Sequence, residues 1–89
     1  MNRHLEEVQF ESLVTEVTKL IPSLRTLAKV LCRNEELAAD LVQETLAKAW
    51  QARGSFTLGT NLKAWLSTTM RNQFRSEARR AWRQTPKAA

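Results

Sequence analysis

LKAWLSTTMRNQFRSEARRAWR, residues 62–83, decides the fold. From Leu62 every fourth position is apolar: Leu66, Met70, Phe74, Ala78 and Trp82 follow. That spacing keeps side chains on one side of an α-helix, whereas a strand would alternate at every second residue. A second stripe, Arg71, Arg75, Arg79 and Arg83, runs one residue later, about 100° around the helix. Arg80 widens the cationic face, and Trp65, Thr69, Asn72 and Ser76 form a polar-aromatic seam. One long helix therefore carries an anchoring face and a cationic face, and either Thr60 or Asn61 can cap its start.

Upstream lies the loop Arg53-Gly54-Ser55-Phe56-Thr57-Leu58-Gly59-Thr60, which holds both glycines of the protein. An aromatic held between loop glycines either serves function at the tip or folds back on the core, and Phe56 and Leu58 are open to both fates. Before the loop, residues 35–52 form a second helical block. Asn34 is a good N-cap, and Glu35 and Glu36 place negative charge at the positive end of the helix dipole. Ala38, Leu41, Val42, Thr45, Leu46, Ala49 and Trp50 keep the helical period. Asp40, Gln43 and Glu44 share another face. By spacing alone that face is a solvated acidic one. The first block, residues 7–33, repeats apolar side chains at gaps of three and four from Phe10 to Leu31. Pro22 falls inside it, removes a backbone donor, and predicts a helix kinked or split there. The fold class is all-α, a compact bundle of three main helices. Trp50 and Trp65 are read mainly as core.

Composition narrows the function. The 89 residues make one domain. At 43% hydrophobic and 26% charged, the chain has enough apolar content to fold. Two Gly, two Pro and no Tyr leave too few turns for an all-β sandwich. No stretch is long and apolar enough to span a membrane, and the N-terminus lacks a signal-peptide pattern. One cysteine, Cys32, and one histidine, His4, offer no disulfide, no metal-ligand spacing and no nucleophile–base pair. No glycine-rich phosphate loop is present. The expectation is a non-enzymatic protein with no catalytic residue, no metal and no cofactor. The net charge of +5 conceals a split. Residues 1–50 carry six basic and eight acidic side chains, and residues 51–89 carry eight basic and one acidic.

The basic half suits a polyanion. Arginines at one-turn intervals along residues 71–83 span about 18 Å, enough for several phosphates on one strand. Glu77 is the only acid facing those eight cations. A membrane-surface helix is a competitor, but it needs the apolar stripe that the other helices require for packing. Asn72, within the arginine stripe, can read a base edge. A loop with Phe56 beside a cationic helix also suits single-stranded or locally melted DNA, where bases stack on aromatics.

The motifs themselves are familiar. Asp40-Leu41-Val42-Gln43-Glu44-Thr45-Leu46-Ala47-Lys48-Ala49-Trp50 resembles the signature helix of region 2 in bacterial RNA polymerase sigma factors. Asn61-Leu62-Lys63-Ala64-Trp65-Leu66, followed by Met70-Arg71-Asn72, resembles the next signature of the same region in extracytoplasmic-function sigma factors. Phe56-Thr57-Leu58-Gly59-Thr60-Asn61-Leu62 is most similar to the alphaproteobacterial general-stress-response branch, the EcfG type. The resemblance implies a region 2 domain over residues 10–83, with 53–60 as its specificity loop. It leaves residues 1–9 as an N-terminal extension and 84–89 as a flexible tail or the start of a linker. Family members carry a further helix-turn-helix domain, region 4, and nothing of that length follows Pro86. This is expected to be either an excised domain or a truncated paralogue.

The resemblance also implies roles. Asp40, Gln43 and Glu44 would dock on the clamp helices of the polymerase β′ subunit. Ser55, Phe56, Thr57, Leu58, Gly59, Thr60 and Asn72 would recognise the promoter minus-ten element and capture a base flipped from the melted non-template strand. Lys63, Arg71, Arg75, Arg79, Arg80 and Arg83 would hold the DNA backbone. An anti-sigma factor of the NepR type would be a partner, membranes would not, and the setting would be the bacterial cytoplasm at the nucleoid. Two alternatives remain: a sigma-like regulator that binds an anti-sigma factor without DNA, and a plain duplex-binding helical domain.

Overall fold

The computed structural model describes residues 3–57 and 60–84. Three helices, α1 (Arg3–Cys32), α2 (Glu35–Gln51) and α3 (Leu62–Gln84), account for nearly all of them, with a 3-10 turn at Arg53–Ser55. No strand occurs among the described residues. The three expected helices are all present, and each packs on the other two.

α1 is longer than the first block and begins at Arg3, inside the stretch set apart as an N-terminal extension. It is also not split at Pro22: a single helix runs through it. Proline deletes the donor that would have reached the Thr18 carbonyl one turn back. Both residues are exposed, on the solvent side of α1. Val17 and Leu20 before the proline, and Leu24, Leu27 and Ala28 after it, belong to the same core. Packing on both sides outweighs the lost bond, because tertiary contacts override propensity in helices held by an apolar face.

The α1–α2 connection is two residues, which forces an antiparallel helical hairpin. Arg33 takes the left-handed conformation, φ 56°, that ends a helix, and its N–H donates to the Lys29 carbonyl at 2.9 Å. Asn34 then caps α2 as its residue type predicts, its Oδ1 accepting from the Leu37 N–H at 3.0 Å. Of the two candidate caps for α3, Asn61 serves: its Oδ1 accepts from the Ala64 N–H at 3.0 Å.

The core is one layer where the three helices meet. Leu24 and Ala28 come from α1, Ala38, Leu41, Val42 and Ala49 from α2, and Leu66 and Met70 from α3. Thr45 is fully buried among them, and its hydroxyl is satisfied by the Leu41 carbonyl at 2.7 Å. Gln73, also buried, donates to Glu77 at 3.1 Å. No buried side-chain donor or acceptor lacks a partner among the described residues, as a well-formed interior requires. Trp65 packs half-buried against this layer. Trp50 departs from the core reading: it is 45% exposed, one position beyond the buried Ala49 and therefore rotated out of the inward line Leu41, Thr45, Ala49. The apolar stripe of α3 likewise reaches the core only as far as Phe74, and Ala78 is exposed. The tail from Pro86 lies outside the described residues.

Two substitutions test this packing. Leu41→Ala should lower the unfolding free energy by about 2–5 kcal/mol, and Asn61→Ala by about 1 kcal/mol, both read from urea denaturation followed by far-ultraviolet circular dichroism.

Candidate nucleic-acid interface

α2 turns its buried line toward α1 and α3, which leaves Asp40, Gln43 and Glu44 exposed on its outer side. None of them is in an ion pair among the described residues. Gln43 also borders an apolar groove between α1 and α2, a cavity of ≈ 240 Å³ where Ile21, Val42 and Leu46 form the walls and Arg25 and Lys29 the edge. Ile21 and Leu46 continue it into a second cavity of ≈ 250 Å³ flanked by Val14, Val17, Ala49 and Trp50. At that end Phe10 meets Trp50 edge to face, with centroids 5.2 Å apart.

The loop is held at both ends of its 3-10 turn. At the start, the Arg53 guanidinium lies 4.0 Å from the centre of the Trp50 ring and its Nη1 donates to the Trp50 carbonyl at 2.7 Å. A cation over an indole face is attracted by the ring quadrupole. The turn is closed by Ser55 N–H to the Ala52 carbonyl at 2.8 Å and Phe56 N–H to the Arg53 carbonyl at 3.2 Å. At its far end, the Phe56 ring sits 5.2 Å from the Trp65 ring, tilted by 42°. The backbone turns again where Thr60 donates to the Thr57 carbonyl through its N–H at 3.2 Å and its hydroxyl at 2.6 Å. Leu58 and Gly59 lie outside the described residues. A Cβ at Gly54 would meet nothing within 4 Å, so packing does not require glycine there.

Phe56 therefore meets both fates left open by its sequence. It folds back onto Trp65, and it also forms one wall of a cavity of ≈ 380 Å³. Thr60 and Lys63 stand on the same rim, while Ser12, Leu13 and Glu16 of α1 close the opposite side. The contribution of α1 carries no local sequence signal, because it arises only when α1 crosses the loop. Ser55 and Thr57 are exposed beside the cavity.

Downstream, Lys63, Arg71, Asn72, Arg75, Arg79, Arg80 and Arg83 are all exposed on α3. Glu77 does not neutralise them. It is half-buried, accepts from Gln73, and forms no ion pair among the described residues. Burial, then the Glu77 carboxylate, raises the Cys32 thiol above its ordinary range, which lowers its thiolate fraction. No group of His, Cys, Asp and Glu side chains among the described residues could hold a metal. No helix among them is long and apolar enough to cross a membrane.

Residues 17–84, from mid-α1 to the end of α3, match the Sigma-70 region 2 family. The chain belongs to that family. This region 2 chain is 45% identical over 78 residues to the ECF RNA polymerase sigma factor EcfG of Rhodopseudomonas palustris, covering 88% of the chain and 43% of that protein. It superposes with a TM-score of 0.78 and 43% identity on the sigma factor RpoE of Bartonella quintana, crystallised in complex with the anti-sigma factor NepR. That match covers 83% of the chain and 46% of the Bartonella chain. The chain thus spans less than half the length of these relatives. The resemblance read from the two signature motifs, and the EcfG-type likeness read from the stretch Phe56 to Leu62, are borne out.

The thiol provides a chemical check on the packing of α1 against α3 in this region 2 fold. Iodoacetamide should alkylate Cys32 several-fold more slowly in the native chain than in urea, by mass spectrometry.

Proposed function

We propose that this chain is the polymerase-docking and promoter-opening module of an extracytoplasmic-function sigma factor of the general-stress-response branch. It acts by binding alone and catalyses no reaction. The observation that carries the reading is the Phe56 cavity: an aromatic wall braced on Trp65, with Lys63 at its rim and the arginine face of α3 running away from it.

Two surfaces divide the work. Asp40, Gln43 and Glu44 dock on the β′ clamp helices, and the apolar groove beside Gln43 gives that docking a hydrophobic component. Exposed polar groups alone would contribute little, since surface ion pairs are worth about 0–1 kcal/mol. The loop from Ser55 to Thr60, with Asn72, recognises the minus-ten element. A base leaving the duplex costs a few kcal/mol in lost stacking and pairing. Stacking on an aromatic returns about 1–3 kcal/mol, and Lys63, Arg71, Arg75, Arg79, Arg80 and Arg83 add phosphate contacts along the separated strand. Strand separation is thus favoured by capture of the open form. The likeness to a factor held by NepR supports an anti-sigma partner of that type here. The setting is the nucleoid of a bacterial cytoplasm, where the region 4 of a longer factor supplies upstream promoter contacts.

The surfaces should separate by mutation. Asp40→Arg with Glu44→Arg should abolish retention of core polymerase in a pull-down while leaving affinity for a labelled single-stranded minus-ten oligonucleotide in place. Phe56→Ala should do the reverse, weakening the oligonucleotide by about 1–3 kcal/mol in fluorescence anisotropy. Retention of polymerase by the charge-reversed chain contradicts the docking reading. Equal binding of duplex and single strand, insensitive to Phe56→Ala, contradicts the capture reading. Replacing Arg75 or Arg79 by Ala should flatten the dependence of log affinity on log salt by about 0.7 per arginine.

A further inference from the structure

We propose that Arg53 is a positioning residue for base capture: its guanidinium holds the start of the loop on Trp50, and through that hold it sets where the Phe56 ring meets the base. This rests on the capture reading above and adds to it a residue that does not line the cavity.

Of residues 53–60, only Arg53 is charged. A lone cation in a loop that faces DNA is ordinarily a phosphate contact. Here the side chain turns back toward α2 instead. Its guanidinium carbon lies 4.0 Å from the centre of the Trp50 ring, and Nη1 donates to the Trp50 carbonyl at 2.7 Å. One contact uses the flat face of the group and the other an edge N–H. A planar guanidinium makes both together, and a lysine ammonium does not. The carbonyl belongs to the last turn of α2, the negative end of the helix dipole, where a cation is favoured.

The same residue reaches forward. Its backbone carbonyl accepts the Phe56 N–H at 3.2 Å, so a single turn links the tethered side chain to the stacking ring. Within that turn, a Cβ at Gly54 would meet nothing within 4 Å, and Ser55 is exposed. Bonds at its ends hold the turn, and side-chain packing between them does not. Trp50 suits the role of fixed point. It is 45% exposed, which leaves ring surface for Arg53, and Phe10 of α1 meets the ring edge to face at 5.2 Å. The outward rotation that removes Trp50 from the core thus gives the loop a platform. An aromatic already in place loses less freedom when a base stacks on it. Loss of the tether should therefore weaken the base-dependent part of binding and spare the phosphate-dependent part.

The test uses the 89-residue chain and 5′-labelled single-stranded minus-ten oligonucleotides, read by fluorescence anisotropy over a range of salt. An abasic residue is placed at each position in turn. The captured position is the one where it lowers affinity in wild type but not in Phe56→Ala. The readout is the ratio of affinities for the intact and the abasic oligonucleotide there. Arg53→Ala should lower that ratio by about two- to fivefold and leave the slope of log affinity against log salt as in wild type. Arg53→Lys keeps the charge but not the stacked fork, and should lower the ratio as well. In the Phe56→Ala background, Arg53→Ala should change nothing, because the residue acts through the ring. A general loss of folded chain weakens both oligonucleotides alike and leaves the ratio unmoved. An unchanged ratio in Arg53→Ala overturns the proposal and leaves capture standing. So does a wild-type ratio in Arg53→Lys, or a slope flatter by about 0.7 in Arg53→Ala, the mark of a lost phosphate contact. Absence of a captured position in wild type overturns both readings.

Discussion

The contact between Phe56 and Trp65 joins the parts of this protein that fold to the parts that face outward. Trp65 belongs to α3, packs against the core layer of Leu24, Leu41, Leu66 and Met70, and receives the loop aromatic on its ring at 5.2 Å. It also lines the far end of the α1–α2 groove beside Trp50 and Arg53. A loop without such a brace would sample many conformations and lose entropy on binding, at about 1–2 kcal/mol per residue ordered. Anchoring at Arg53 and Phe56 means that this cost is met during folding for the turn between them. One wall of the cavity beside Phe56 is consequently a ring whose position is set by its contact with Trp65.

The charge split acquires a physical layout on this frame. The acidic side chains of α2 and the basic ones of α3 belong to separate helices that share only their buried lines. Neither set is spent on the other: the only ion pair among the described residues joins Glu16 and Lys19 on α1. Glu77, the one acid of the basic half, is drawn inward to Gln73 and leaves the arginine face unscreened. Unpaired surface charge of one sign stabilises the fold little. It raises the local potential and steers a partner of the opposite sign. Two such surfaces on one small bundle fit a protein that works between two macromolecules.

Much of this was legible in the sequence, because most of the fold is written in local repeats. The four-residue stripe from Leu62 to Phe74 became the inward line of α3. Asn34 formed its cap as its residue type indicates, and Asn61 resolved the choice left open with Thr60. Pro22 was legible as a defect but not as a tolerated one, since the contacts that hold α1 together lie on α2 and α3. Trp50 reads as core from its size and period. One step of 100° past Ala49 carries it to the surface, where Phe10 and Arg53 cover part of its ring. Ser12 and Glu16 were not legible as cavity residues at all. On their own helix they are ordinary polar positions, and only the crossing of α1 over the loop brings them beside Phe56.

The central claim is that the acidic and basic surfaces serve two partners at once. The most direct measurement is a ternary one: labelled single-stranded minus-ten DNA bound to the chain, titrated with purified core polymerase, with anisotropy reporting the DNA and gel filtration reporting the assembly. The account predicts that the DNA stays bound, its anisotropy rises further, and chain, polymerase and DNA elute together. Release of the DNA as polymerase binds would mean that the two surfaces overlap, and would contradict the account.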